Sequence, residues 1–179
     1  MYYGKINGND IANGLGVRVT LFVSGCTHHC KNCFNPETWD FRYGREFTKE
    51  TENYIIDLCK RPHIKGLSLL GGEPFEKANQ ECVCHLLKRF KETYPQKDVW
   101  CYSGYTFDKD MVEGGKISTP YTREMLSYID YLVDGEFVEE KKNLMLKFRG
   151  SSNQRIIDVQ KSLKENKTIC VDDKDLEKI

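Results

Sequence analysis

The clearest structural pattern in this chain lies in Val17-Arg-Val-Thr-Leu-Phe-Val-Ser-Gly-Cys26-Thr-His-His-Cys30-Lys-Asn-Cys33. Its first part, Val17–Val23, is rich in β-branched and aromatic residues and predicts a β-strand that ends at Ser24-Gly25. Its second part places three cysteines within eight residues, in the spacing C-x3-C-x2-C. The segment therefore predicts a strand followed at once by a cysteine-bearing loop.

The pattern of short strands and helices continues along the chain. Thr48 is a candidate N-cap for a helix that runs to about Arg61, and a later helix is predicted to begin at Pro120. Between them, a helical stripe at i, i+3, i+4 and i+7 is formed by Val83, Leu86, Leu87 and Phe90. Further strands are predicted at Gly66–Leu70, Val99–Tyr102, Tyr131–Val133 and Arg155–Val159. This alternation predicts an α/β fold with a mostly parallel sheet.

Small and polar residues follow four of the predicted strands. The four segments are Ser24-Gly25-Cys26, Gly71-Gly72-Glu73-Pro74, Ser103-Gly104-Tyr105 and Asp134-Gly135. Since the carboxyl ends of parallel strands meet at one edge of a sheet, we expect these segments to lie close together. Ligands of such sheets bind beyond this edge, so the sequence predicts a ligand site there.

The clustered cysteines indicate a metal site rather than a disulfide framework. The chain has 8 cysteines in 179 residues, which is below the roughly 8–10% of a disulfide scaffold. Iron–sulfur clusters are held by cysteine thiolates, and a cubane cluster usually has four. Three local ligands, Cys26, Cys30 and Cys33, would leave one iron open to an exogenous chelator, as a catalytic cluster requires.

Two other kinds of metal site remain open on these residues alone. A structural zinc ion would need four closed ligands, with His28 or His29 as the fourth. A non-catalytic iron–sulfur electron carrier would need a fourth cysteine, with Cys59 or Cys101 as the candidates. Outside these two alternatives, the other cysteines and the histidines are expected to be packing or surface residues.

The cysteine loop resembles that of the radical S-adenosylmethionine superfamily. The similarity extends to five segments that occur in the same order in one subgroup, the anaerobic ribonucleoside-triphosphate reductase-activating proteins. They are Val23–Cys26, Gly71–Pro74, Tyr102–Tyr105, Val133–Gly135 and Arg149-Gly-Ser-Ser-Asn-Gln154. The resemblance covers about residues 1–159 and implies a partial, open βα barrel of the radical S-adenosylmethionine type. The chain is too short for a complete eight-stranded barrel, which takes about 200 residues or more.

The resemblance also implies an activity. A [4Fe-4S] cluster on Cys26, Cys30 and Cys33 binds S-adenosylmethionine, and its reductive cleavage gives a 5′-deoxyadenosyl radical that removes a hydrogen atom from a glycine of the reductase. The cofactors carry the chemistry, so no catalytic residue is expected beyond the cluster ligands. A flavodoxin or ferredoxin is the expected electron donor. Activation of another glycyl-radical enzyme, such as a formate-lyase, is the alternative.

For the cofactor, the resemblance implies contacts from several segments. Asn32 and Phe34, which flank Cys33, are expected to contact the adenine. Glu73 is expected to accept a hydrogen bond from the ammonium of S-adenosylmethionine. The other candidate cofactor-binding residues are Gly71 and Gly72, which permit a close backbone approach, and Ser103 and Gly104, which are candidates for the ribose or carboxylate.

Composition excludes several classes of function. The chain has 27 Lys and Arg against 27 Asp and Glu, which argues against a nucleic-acid partner. It has no apolar run of about 18 residues, and its first residues have no apolar stretch, so neither a membrane span nor a secretory signal is expected. These features predict a cytoplasmic protein with reduced thiols.

The predicted domain organisation is one radical S-adenosylmethionine domain, residues 1–160, followed by a C-terminal tail or peripheral segment, residues 161–179. The tail is rich in Lys and Asp and includes a possible strand at Thr168–Val171. Three polar residues have no assigned role. Arg18 either pairs with a carboxylate or faces solvent, Asp134 fits an ordinary Asp-Gly turn, and Arg149 lies in a segment of unassigned function.

Overall fold

A computed structural model describes residues 1–178, and there the chain folds into one seven-stranded sheet with helices. The strands are β1 Tyr2–Asp10, β2 Val17–Val23, β3 Arg45–Glu46, β4 Ile64–Gly71, β5 Asp98–Tyr102, β6 Tyr131–Asp134 and β7 Arg155–Asp158. The helices are α1 Lys49–Cys59, α2 Lys77–Thr93, α3 Thr122–Tyr128 and α4 Val159–Glu165. Short 3-10 helices lie at Pro36–Trp39, Glu139–Lys141 and Leu176–Lys178.

The sheet is open, with the strand order β3-β1-β2-β4-β5-β6-β7. Its four central strands, β2, β4, β5 and β6, run parallel. At one side β1 pairs antiparallel with β2 and β3, and at the other side β7 pairs antiparallel with β6. The predicted α/β class and the open sheet with a parallel centre are confirmed, whereas the antiparallel flanks were not predicted.

Strand β1 was missed because its own sequence, YYGKINGND, is poor in β-formers. Pairing with β2 holds it in place, with register shifts between Tyr3 and Lys5 and between Asn7 and Asp10. These irregular positions are typical of bulges in a strand at the side of a sheet. The strand is therefore determined by its neighbour rather than by its local sequence.

The predicted helices are present, with corrected ends. Thr48 is the N-cap of α1 and forms a capping box with Thr51, and the helix ends at Cys59 rather than near Arg61. Helix α2 buries the predicted stripe. Helix α3 begins at Thr122 and not at Pro120, because the Thr119 backbone N–H donates to Thr122 Oγ1 at 2.9 Å and holds the preceding residues in a turn.

The core occupies both faces of the sheet. On one face, alternate strand residues such as Leu69, Cys101 and Leu132 pack against the helices. On the other face, the strand residues Trp100, Val133 and Ile156 form a smaller cluster with Leu176. Period-two alternation along β5, β6 and β7 produces this division. Leu176 belongs to the C-terminal tail, so part of the tail is packed and not solvated.

The tail is irregular but held to β7. The strand predicted at Thr168–Val171 is reduced to a single bridge between Ile157 and Cys170, and the Val171 N–H donates to the Ile156 carbonyl at 2.7 Å. The strand predicted to end at Val159 ends at Asp158, whose side chain caps α4. No helix in residues 1–178 has the length and apolar character needed to cross a membrane.

Arg18 forms a buried ion pair and does not face solvent. Its guanidinium is fully buried, pairs with the Asp98 carboxylate, and donates to Ser68 Oγ at 2.7 Å. Further donations go to the Leu15 carbonyl at 2.9 Å and the Leu67 carbonyl at 3.0 Å. A buried charge needs such a complete set of partners. Arg18 thus ties β2 to β4 and β5 at the end of the sheet opposite the predicted site.

Candidate metal and cofactor site

A cavity lies where the sequence predicts a site, beyond the carboxyl ends of the parallel strands. All three motif cysteines line it, together with Phe34, Gly71, Gly72, Glu73, Ser103 and Gly104. Asn32 is the one candidate residue that does not line it. The enclosed volume is about 160 Å³, which is below the roughly 300–1,000 Å³ of typical ligand pockets. A nucleoside-sized ligand would therefore extend into the open mouth, where Phe34 is 64% exposed.

The cysteine loop is tightly curved. Cys26 lies three residues after β2, and the loop returns through the 3-10 helix, so that the Gly25 N–H donates to the Thr38 carbonyl at 2.8 Å. His29 and Asn32 adopt left-handed backbone conformations, with φ of 52° and 55°. These two turns bring Cys30 and Cys33 back to the cavity that Cys26 also lines.

The chemistry of this donor set fits an iron–sulfur cluster. Burial raises the pKa of Cys26 to about 12, and the charges of Glu73 and Cys30 act in the same direction. Burial also raises the pKa of Cys30 to about 11, with added repulsion from Glu136 and Cys33. The thiols are therefore protonated at neutral pH without metal. A cationic cluster would offset the repulsion and replace the protons, because metal ligation requires thiolates.

The arrangement differs from that of a single-ion site. Within residues 1–178, no three His, Cys, Asp or Glu side chains converge as the ligands of one metal ion. A structural zinc ion would need such a convergence of four ligands. In a cubane cluster, in contrast, each cysteine binds a different iron, so its ligands need only surround a common volume. The three cysteines, which line one cavity, are suited to such a cluster.

Glu73 is the central polar residue of the cavity wall. It is almost fully buried, its Oε1 accepts from the Phe75 N–H at 2.9 Å, and its Oε2 accepts from the Gly104 N–H at 2.7 Å. These two charge-assisted bonds fix the carboxylate at the ends of β4 and β5. A fixed, buried carboxylate that lines the cavity is suited to receive a cationic ligand group.

The glycines of this edge allow close packing of the backbone. Gly71 has a φ of +109°, and a Cβ on Gly72 would lie 2.6 Å from the Gly25 carbonyl oxygen. The Gly72 N–H donates to the Val23 carbonyl at 2.8 Å. The end of β4 and the start of the cysteine loop are thus in close contact on the wall of the cavity, whereas the predicted close approach of a ligand to Gly71 and Gly72 stays a prediction.

His28 is more closely integrated into the site than the sequence suggested. Its side chain is only 9% exposed, lines the cavity, and packs on the Tyr105 ring with centroids 4.3 Å apart. Its Nε2 lies 3.4 Å from Glu73 Oε2. Burial lowers the pKa of His28, but the neighbouring carboxylates outweigh this and raise the pKa above its usual value. His29, in contrast, stacks on Trp39.

The segment Arg149–Gln154 contributes to the wall through its last residue. Gln154 lines the cavity, accepts from the Gly150 N–H at 2.9 Å, and donates to the Gly135 carbonyl at 3.0 Å. Arg149 pairs with Asp173 of the tail at 3.0 Å. The resemblance had singled out the segment Arg149–Gln154, but it did not indicate that Gln154 lines the cavity, because that position depends on how the loop folds back over Gly135.

Asp134 has a structural partner beyond its turn. Arg155 donates to both of its carboxylate oxygens, at 2.9 Å through Nε and 2.5 Å through Nη2. The Phe107 N–H also donates to it, at 2.8 Å. Asp134 is fully buried and does not line the cavity. It anchors β6 to β7.

Comparisons with known proteins identify the class of this site. Residues 12–157 match the sequence profile of the 4Fe-4S single cluster domain. The chain is 42% identical to the anaerobic ribonucleoside-triphosphate reductase-activating protein of Vibrio cholerae over 158 residues, which are 87% of this chain and 97% of the relative. It is 41% identical to the protein of that name from Haemophilus influenzae, with the same coverage. With the protein of Enterobacteria phage T4 the identity is 39%, over 87% of this chain and 93% of the relative.

The fold and the site thus define a single-cluster iron–sulfur protein. The chain belongs to the family of anaerobic ribonucleoside-triphosphate reductase-activating proteins. The resemblance seen in the sequence motifs is confirmed.

Proposed function

We propose that this protein activates an anaerobic ribonucleoside-triphosphate reductase by generating a glycyl radical on it. The observation that carries the proposal is the cavity at the strand ends, where Cys26, Cys30 and Cys33 lie beside the buried carboxylate of Glu73. Relatives at 39–42% identity carry the name of activating proteins for this reductase. The name of these relatives indicates the target protein, and the cavity contains the residues proposed to bind the cluster and the cofactor.

The proposed roles follow from the contacts around the cavity. When bound, a [4Fe-4S] cluster and S-adenosylmethionine supply one-electron cleavage of the cofactor to a 5′-deoxyadenosyl radical. The three cysteines hold the cluster. Glu73, fixed by the Phe75 and Gly104 N–H groups, receives the ammonium of the cofactor. Gly71, Gly72, Ser103 and Gly104 form the wall along the cofactor, and Phe34 covers the adenine from the open mouth.

Asn32 has a different place in this proposal. It is exposed and its left-handed backbone shapes the turn before Cys33. We assign it to the conformation of the loop that brings Cys33 and Phe34 to the cavity, and not to a direct adenine contact. The open sheet corresponds, in the proposal, to the partial barrel of the radical S-adenosylmethionine enzymes. Its open side admits the target glycine of a protein substrate, which closed barrels exclude.

The buried cysteines favour an open iron over a fully ligated electron carrier. Cys59 and Cys101 are both fully buried in the main core, and neither lines the cavity. A fourth protein ligand from either residue would require the core to rearrange. The coordination position left by the three cysteines is therefore assigned to S-adenosylmethionine.

Anaerobic reconstitution tests the proposal. We expect about four irons and four sulfides per chain, and release of 5′-deoxyadenosine from S-adenosylmethionine on reduction with dithionite, flavodoxin or ferredoxin. C33A is expected to lose the cluster, whereas the matched controls C59A and C101A retain it. Failure of the reduced wild-type protein to release 5′-deoxyadenosine would falsify the proposal.

The protein target is tested separately. The reduced protein is incubated with S-adenosylmethionine and an anaerobic ribonucleotide reductase or a formate-lyase, and the glycyl radical is quantified by electron paramagnetic resonance. We expect the radical on the reductase. A signal on the formate-lyase alone would support the alternative activase. We place the reaction in the cytoplasm, where reduced thiols are maintained.

A further inference from the structure

A second buried carboxylate, Glu76, lies one turn beyond Glu73 and has no part in the roles proposed above. Its side chain is 8% exposed, and the residue is the N-cap of α2. The same oxygen, Oε1, accepts from the Thr27 N–H at 2.8 Å and from Thr27 Oγ1 at 2.6 Å. Tyr105 Oη also donates to it, at 3.3 Å. Glu76 is therefore bonded to two other loops of the site.

These bonds join three segments that are distant in sequence. Thr27 directly follows the cluster ligand Cys26, Glu76 follows β4, and Tyr105 follows β5. Thr27 Oγ1 and Tyr105 Oη are themselves 3.3 Å apart, which closes the three groups into a triangle. Hydrogen bonds to a buried carboxylate are stronger than those between neutral groups. The first turn of the cysteine loop is thereby held against the strand ends.

Tyr105 has a second contact that connects this triangle to the cofactor wall. Its ring packs on His28, whose Nε2 lies 3.4 Å from Glu73 Oε2. Burial raises the pKa of Tyr105 to about 12, so its hydroxyl remains a donor at neutral pH. Neither Glu76 nor Tyr105 lines the cavity, so both act on it through Thr27 and His28.

We infer that Glu76, Thr27 and Tyr105 are positioning residues that preset the cysteine loop and the Glu73 carboxylate for S-adenosylmethionine. The inference deepens the proposed function and rests on it for the identity of the ligand. A loop held before the ligand arrives loses less entropy on binding. Loss of the triangle should therefore weaken cofactor binding more than it slows cleavage of the bound cofactor.

The chain offers a matched pair of tyrosines for the test. Tyr105→Phe removes the hydroxyl that donates to Glu76 and retains the ring that packs on His28. Tyr121→Phe removes a hydroxyl that donates to Glu81 at 2.8 Å on the exposed side of α2, away from the site. Thr27→Val removes the second side-chain donor, and Thr27→Ser restores it. All these variants spare the cluster ligands and are milder than removal of Glu76.

Hydrogen exchange of the chain without S-adenosylmethionine is the first measurement. In Y105F and T27V, we expect peptides that cover residues 24–34 to exchange about three- to tenfold faster, with helices α1 and α3 unchanged. Wild-type exchange is expected in Y121F and T27S. This arm does not require turnover, so it tests the triangle even if the proposed function fails. Equal exchange in Y105F, T27V and Y121F would overturn the inference.

Cofactor binding is the second measurement. On the reconstituted holoprotein, the dissociation constant for S-adenosylmethionine is read from the change in the electron paramagnetic resonance spectrum of the reduced cluster. We expect it to rise about tenfold in Y105F and T27V, with kcat for 5′-deoxyadenosine within about twofold of wild type. An unchanged dissociation constant, or a loss confined to kcat, contradicts a positioning role. If wild type binds no S-adenosylmethionine, the proposed function fails instead.

Discussion

Any side chain at position 104 would have to share its space with His28. A Cβ on Gly104 would lie 2.6 Å from His28 Nε2, although the backbone of Gly104 has no unusual φ. The glycine is therefore needed for space and not for conformational freedom. It leaves room for the imidazole next to the Gly104 N–H that donates to Glu73.

Gly104→Ala is expected to destabilise the protein by about 1–3 kcal/mol, as overpacking does in a filled site. Because the clash is with one side chain, the same change in a His28→Ala background should cost less than ~0.5 kcal/mol. Urea unfolding of the four proteins in this cycle measures both values. Equal costs in the two backgrounds would show that the methyl group meets something other than His28.

The site residues differ in how visible they are in the sequence. Cys26, Cys30 and Cys33 are recognised by their spacing, which is a local feature, and Glu73 by the resemblance of the segment Gly71–Pro74. The contacts of His28, Glu76 and Gln154 are not visible in the sequence, because they depend on the left-handed turns of the cysteine loop and the return of the segment after β6. No periodicity in a sequence encodes such turns.

At the scale of elements, Arg155 joins β7 to β6 and to the loop after β5. It is bonded to Asp134 and makes two contacts of 3.0 Å with the Asp108 carboxylate. The hydrogen bond from Arg155 lowers the pKa of Asp108 below its usual value, against the opposing effect of burial. The bidentate pair of Arg155 and Asp108 thus adds a pH-dependent contact between β7 and the loop after β5.

Asp108→Asn is expected to lower stability only where Asp108 is ionised. Since the folded pKa is depressed, the stabilisation is complete above the usual pKa near 3.8 and is lost as the pH falls through the lower folded value. Urea unfolding of wild type and D108N should therefore differ at neutral pH and converge in acid. A difference that persists in strong acid would assign the effect to shape rather than charge. D175N, in an exposed pair with Lys178, is the control with the weaker dependence.

The segment between β6 and β7 exposes apolar side chains close in sequence to Lys142, which reaches the cavity mouth. Leu144 and Met145 are largely exposed, and Lys142 lies 5.6 Å over the ring of Phe34 at that mouth. Exposed apolar residues that adjoin a site are typical of contact surfaces. In the proposed function, the reductase has to approach this mouth to present its glycine.

The double variant Leu144→Ser, Met145→Ser is expected to weaken binding to the reductase about tenfold. Cleavage of S-adenosylmethionine without the reductase should be unchanged, since neither residue lines the cavity. Ile11→Ser changes another largely exposed apolar residue, near the opposite end of β2, and serves as the control. The affinity of each variant for surface-immobilised reductase is measured under anaerobic conditions. Similar affinities for the double variant and I11S would remove this segment from the contact surface.

Local sequence predicted the four parallel strands and β7 well, and it missed β1 and β3 at the other side of the sheet. Strands β2, β4, β5 and β6 are apolar runs buried on both faces, which is a strong local signal. Strand β1 carries glycine and asparagine and is half-buried, so only its pairing with β2 determines it. The division of the chain at residue 160 stays a prediction.

At the scale of the whole molecule, the tail completes the second face of the sheet. Leu176 is 1% exposed and packs in the cluster with Trp100, whereas Leu163 on α4 is 41% exposed. The tail lies beyond the matched family domain, which ends at residue 157. It nevertheless supplies part of the hydrophobic core.

Leu176→Ala is therefore expected to reduce the free energy of unfolding by about 2 kcal/mol, which is at the low end of the range for buried leucines. Leu163→Ala, the matched surface control, should change it by no more than ~0.5 kcal/mol. Equilibrium urea unfolding compares the two. Equal effects would mean that the tail contributes no more than a solvated segment.

The bridge from Cys170 to Ile157 protects the outer side of β7 from pairing with other molecules at high protein concentration. Strand β7 is the last of its sheet, and an uncovered final strand offers its backbone to strands of other molecules. Residues 169–171 occupy part of that position with their own carbonyl and N–H groups. A shortened chain that ends before them would be prone to self-association and to loss during purification, even with every cluster ligand in place.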